Sequence, residues 1–147
     1  MKPLNPITSS LLIGFSYGIY RVVGSAAQAM VNIASFYAGT ELARRLDIGS
    51  SDLVASIKEL NEALRLAEKV EVEYENGILL LTVKKCNVCP KRVGGYDIKG
   101  TACPIPGLII GFLTELYKVK VDPKTISRNV QWGIGEECRF KIPLKLR

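Results

Sequence analysis

Histidine is absent from this chain, and with it goes the commonest general base. A phosphate-cradling glycine loop is missing too, since neither GSAAQAMVNIAS nor GGYDIKG has the required spacing. No acid–base constellation takes their place. Glu136 and Glu137 fall in a tight turn, and Asp97 sits in a loop where aspartate serves turn geometry. Glu115 lies on a helical stretch, where it can pair with Lys118 or meet a ligand. These absences weigh against an enzyme. The chain also lacks low-complexity segments, internal repeats and a small-residue cleavage site behind a compact apolar N-terminus. A signal peptide is therefore not expected, and the expected compartment is the cytoplasm, with thiols reduced.

What is present describes one globular domain. The 147 residues are 48% hydrophobic and 23% charged, enough to bury a core without help from disulfides. The formal charge of +6 is unevenly placed: residues 52–75 are acidic, 84–99 basic, and the tail from Arg139 holds four basic residues and no acid. Such clusters fit a nucleic-acid surface. They fit the protected edge of a sheet better, because no recognition-helix or stacking signature accompanies them.

From Leu11 to Leu46 nearly every residue is apolar or small. Val22 to Thr40 is long enough to consider as a membrane span. Its Ser, Gln, Asn and Ala content argues instead for a long helix buried in a core or dimer interface, so no membrane span is expected. Ser50 or Ser51 is available as an N-cap before Asp52. Leu53, Val54, Ile57, Leu60 and Leu64 then recur at helical spacing. Val70, Val72 and Tyr74 alternate with glutamates, Asn76-Gly77 makes a two-residue hairpin turn, and ILLLTVKK returns. After a helix over 104–118, Ile126, Val130 and Trp132 lead through GIGEE into a strand with Cys138, Phe140, Ile142 and Leu144 on one face. The expected fold is α+β: a mainly helical part over 1–67, then hairpin, helix and hairpin over 68–147 in one antiparallel sheet.

The four cysteines are Cys86, Cys89, Cys103 and Cys138. A C-x2-C pair lets two thiolates share one ion. Without histidine, a zinc site must be all-cysteine, or three cysteines with a carboxylate. Cys103 precedes a helix, whose free N–H groups favour a thiolate. Cys138 is in phase with Phe140 and so points inward. Two other readings stand beside zinc: a redox couple at Cys86 and Cys89, and four unlinked thiols, cysteine being common in cores. Against the redox couple, Pro90 and Gly94-Gly95 make the following segment a loop rather than a helix.

Aromatic residues crowd the first helical region. Tyr17, Tyr20, Arg21, Met30 and Phe36, with Phe112 and Trp132 further on, are candidates for an apolar pocket with a few polar tips. Gly107 and Gly111, one turn apart, either allow close helix packing or leave room for a ligand.

A cysteine opening a helix, glycines along it, a strand and then GIGEECRFKI together resemble the 4-vinyl reductase domain family, most clearly from Thr101 to Ile142. That resemblance implies a homodimeric α+β domain that binds a small apolar molecule beside a metal site, commonly zinc. Cys103 and Cys138 match the family's helix-start and final-strand cysteines, while no cysteine stands at 130–133. The alternative it implies is a reductase or accessory factor acting on a vinyl-bearing tetrapyrrole.

Overall fold

The computed structural model describes residues 5–48, 52–119, 131–134 (backbone alone) and 137–145. Among these described residues four α-helices and four strands follow in chain order: α1 (Pro6–Val23), α2 (Ala27–Arg45), α3 (Leu53–Leu64), β1 (Ala67–Glu75), β2 (Ile78–Cys86), α4 (Ile105–Tyr117), β3 (Gln131–Ile134) and β4 (Glu137–Pro143). The strands form one antiparallel sheet in the order β1-β2-β4-β3. This is the α+β arrangement read from the sequence, two hairpins with a helix between them.

The long apolar stretch is not one helix. Gly24 adopts φ +64°, a short 3-10 turn runs over Gly24–Ala26, and the chain restarts as α2. A residue with a Cβ resists that backbone, so the break falls on the glycine. Asn5 caps α1, its Oδ1 accepting from the Thr8 N–H at 3.2 Å, and Pro6 opens the first turn. No helix among the described residues is long and apolar enough to cross a membrane. The cap of α3 also differs from expectation: Asp52 itself holds it, accepting from the Val54 N–H at 3.1 Å, while 50 and 51 lie outside the described residues.

The first hairpin turns as its sequence demands, with Asn76 at φ +52° and Gly77 at φ +73°. Leu79, Leu81 and Val83 of β2 face inward opposite Ile142, Phe140 and Cys138 of β4. Upon this face lie Ile57 and Leu60 of α3 and the wholly buried run 105–113 of α4. The part of the second hairpin at 126–130 and its turn at 135–136 lie outside the described residues.

On its other side α4 packs against α2, and this crossing is close. A Cβ on Gly107 would overlap the Asn32 carbonyl and Ser35 Oγ, one on Gly111 the Phe36 carbonyl, and one on Gly39 the Leu108 carbonyl. The glycines at 107 and 111 therefore serve helix packing, not a ligand. α1 rests on α2 and on the loop over 94–100, where the Tyr17 and Tyr96 rings stack with centroids 3.8 Å apart.

Candidate metal centre

β2 ends in an irregular pair of residues that sets up the knuckle. Lys84 still pairs with Lys69 and Cys86 with Ala67, but Lys85 between them is left-handed at φ +53°. Asn87 then anchors the turn to the end of α3, its N–H donating to the Leu66 carbonyl at 2.8 Å and its Nδ2 to the Arg65 carbonyl at 3.0 Å. Val88 is fully buried beneath it. Backbone amides point at both sulfurs: Val88 N–H at Cys86 Sγ (3.4 Å) and Arg92 N–H at Cys89 Sγ (3.5 Å). At Cys86 the Val88 amide pulls toward the thiolate, the form in which cysteine binds a metal.

Cys103 arrives from the other side. It is buried, immediately before α4, with the Ile105 N–H directed at its sulfur. Gln28 of α2 grips its backbone twice, Nε2 donating to the Cys103 carbonyl at 2.8 Å and Oε1 accepting the Cys103 N–H at 2.7 Å. The same Nε2 lies 2.8 Å from Asn32 Oδ1, and the buried Asn32 Nδ2 finds no acceptor in the described structure. Cys138 comes in on β4 opposite Val83, on the inward face.

The thiols are neighbours in electrostatic terms. Burial pushes the Cys103 thiol well above the ordinary range, and nearby Cys86, Cys89 and Cys138 push it further. The Cys86 thiol is pushed up to about 12, first by burial, then by Cys89 and Cys138, against the pull of the Val88 amide. Both are thus protonated at neutral pH when no cation is near, the opposite of an activated redox thiolate. No three Cys, Asp or Glu of the described residues stand in the geometry of a closed ligand set.

The loop joining Cys89 to Cys103 is tied to the α1–α2 hairpin. Tyr17 stacks on Tyr96, Tyr20 Oη accepts the Lys99 N–H at 3.2 Å, and Lys91 Nζ donates to the Gly100 carbonyl at 2.8 Å. Ile98 and Ala102 join Ala27 and Val31 in a small second core. Tyr17 and Tyr20, expected in a pocket, therefore clamp this loop. Phe112 has no exposed surface and belongs to the main core, with Phe36 packed against it. Arg21 and Met30 are exposed, and the Trp132 side chain lies outside the described structure.

An apolar cavity of about 210 Å³ does exist, one residue from Cys103. Pro104 closes one end, with Leu12, Phe15, Ser16 and Ile19 of α1 on one wall and Val31, Ala34, Ser35 and Ala38 of α2 on the other. The sequence hides it because small residues, not aromatic ones, make most of its α2 wall. A larger open groove of about 500 Å³ between α3 and β1 is rimmed by Lys58, Glu62, Lys69 and Glu71 and lies away from the thiols.

Several surface charges elsewhere are paired. Lys84 and Lys85 of the basic stretch meet Glu71 (3.1 Å) and Glu68 (3.4 Å) across the β1–β2 hairpin. Glu115 binds Arg44 Nε of α2 at 3.0 Å, and that hydrogen bond holds its carboxyl below the usual range.

Comparison with known proteins overturns one expectation. The family model that matches, over residues 24–144, is that of the MJ0207 family, so the resemblance to 4-vinyl reductase domains does not identify the chain. Uncharacterized protein MJ0207 of Methanocaldococcus jannaschii is 37% identical over 145 residues, 97% of this chain and 92% of that protein. Uncharacterized protein MJ1342 of the same organism is 42% identical over 38 residues, covering 26% of this chain and 33% of that protein.

Proposed function

The chain belongs to the MJ0207 family, and we propose that it is a binding domain for a small apolar molecule, its pocket braced by one thiolate-bound zinc ion on Cys86, Cys89, Cys103 and Cys138. What supports the metal reading is the approach of four thiols from three places: the end of β2 with the turn after it, the residue before the cap of α4, and the start of β4. They lie near enough that Cys89 and Cys138 act on both the Cys86 and the Cys103 thiols, while no three of the described Cys, Asp or Glu stand as a closed ligand set. Two of those thiols, Cys86 and Cys103, are raised by burial first and by the neighbouring Cys89 and Cys138 after it, a condition that a divalent cation would relieve by replacing the protons. The donor set is soft and lacks imidazole, which suits zinc and also iron. When bound, the ion neutralises the thiolates and cross-links the sheet to α4. Gln28 and Asn87 fix the backbone on either side of it.

The ligand reading rests on the cavity between α1 and α2. Its lining is apolar apart from the Ser16 and Ser35 hydroxyls, and Ser35 Oγ already donates to the Val31 carbonyl at 2.6 Å. Such walls select by shape and hydrophobicity rather than by charge.

Elemental analysis of chain purified without chelator or affinity metal tests the centre, together with titration of free thiols. One metal ion per chain, with the thiols shielded until it is stripped, is the expected result. Metal-free protein with four freely reactive thiols would sink the proposal. A full complement of iron in place of zinc would keep the site and change the ion.

A further inference from the structure

Seven large apolar side chains of the α1–α2 hairpin stand in water. On α1, Ile7, Leu11, Phe15 and Val22 are between 53% and 84% exposed. At about 100° per residue they fall within roughly 80° of arc, a single stripe. On α2, Met30, Ile33 and Tyr37 form a second stripe, 46–66% exposed. No charged residue interrupts α1 from Pro6 to Tyr20 or α2 from Ala27 to Thr40. The cavity described above opens between the stripes, since Phe15, Ala34 and Ala38 line it and are themselves exposed.

We propose that this face pairs two copies of the chain, and that the partner copy covers the mouth of the cavity. The area fits that occupant. An aromatic side chain brings roughly 150–250 Å² and an aliphatic one somewhat less, so the seven expose on the order of 800 Å², about one partner's share of a stable interface. Two uncharged stripes on one hairpin are also complementary to themselves, as a two-fold pairing requires. A lipid surface fits less well, because a helix lying on a membrane carries lysine and arginine along its polar face. The inward face of α1 instead holds buried Ser9 and Ser16. The covering of the cavity rests on the ligand reading above; the pairing of the helices does not.

Light scattering on the metal-loaded full chain is the test, with Leu11→Glu and Ile33→Glu as variants, since neither residue lines the cavity. The wild type is expected at twice the 16.1 kDa of one chain at micromolar concentration. Each variant places an unpaired carboxylate inside the contact and is expected to weaken pairing about thirtyfold or more, with metal content and circular dichroism unchanged. Wild type at the mass of a single chain throughout would overturn the proposal. So would a single-chain wild type that co-sediments with phosphatidylcholine–phosphatidylglycerol vesicles, which would assign the face to lipid. Indole serves as the cavity probe, followed by the amide shifts of residues 31–38. A dimer that fails to bind indole upholds the pairing and removes the ligand reading. Indole bound equally well by Leu11→Glu at concentrations where it is a monomer would overturn the covering of the cavity.

Discussion

Gln28 illustrates how one polar side chain can position a site it never enters. Its amide spans the Cys103 peptide from both sides, satisfying a donor and an acceptor just ahead of α4. Removing it strands both groups in a part-buried place, at a cost of roughly 1–3 kcal/mol. We expect Gln28→Ala to lower stability by that amount in urea denaturation. On the proposed metal site it should also loosen metal retention about tenfold or more against a chromophoric chelator, since the support of a proposed ligand, Cys103, is lost while its thiol remains. A plain packing defect would lower stability without moving chelator competition, so the two readouts separate. At Cys89 the expectation is different in kind: Cys89→Ser takes away one of the four proposed ligands, and on that proposal both metal content and thermal stability should fall. Serine at 89 with full metal and unchanged melting would remove Cys89 from the ligand set.

Elements differ in how openly the sequence states them. The first hairpin was legible because three signals agree there: period-two alternation, an Asn-Gly turn and glutamates on the solvent side. Cys138 was legible for the same reason, its phase fixed by Phe140 and Ile142. The break at Gly24 was not, because a stretch apolar on every side offers no periodicity to interrupt and glycine there reads as one more small residue. The cap of α3 was misplaced by one or two residues, with serines and an aspartate competing for a role that all can fill. Aromatic residues misled most: Tyr17 and Tyr20 are clamps and Phe112 is core, while the cavity is walled largely by residues too small to advertise it. The likeness of GIGEECRFKI to another family rested on a short motif, whereas the family match extends over residues 24–144. For the α2–α4 crossing, where glycine replaces side chains that would collide, we predict that Gly111→Ala costs roughly 1–3 kcal/mol through overpacking, read as a lower denaturation midpoint. Gly14→Ala on the exposed side of α1 meets nothing within one chain and should be neutral or slightly stabilising when measured at concentrations where the chain is a monomer.

At the scale of the whole molecule, the two ends of the layered stack are held very differently. α4 is buried between α2 and the sheet and shares the main core with α3 and the inner faces of β2 and β4. Among the described residues α1 packs mainly on α2 and the loop over 94–100, Leu12 alone of its side chains joins the edge of the main core, and much of its apolar surface faces water. Local opening free energies follow such differences in buried contact. Amide exchange should therefore be slowest in α4 and in the β2–β4 ladder and fastest in α1. If two copies pair through the hairpin, dilution removes the contact from α1 and α2 alone, because mass action bears only on what the partner covers. Exchange measured at low and high protein concentration should then show protection rising with concentration in residues 6–38 and unchanged in 105–117. Protection in α1 that stays flat across that range would mean that its apolar stripe is covered by something other than a second copy of this chain.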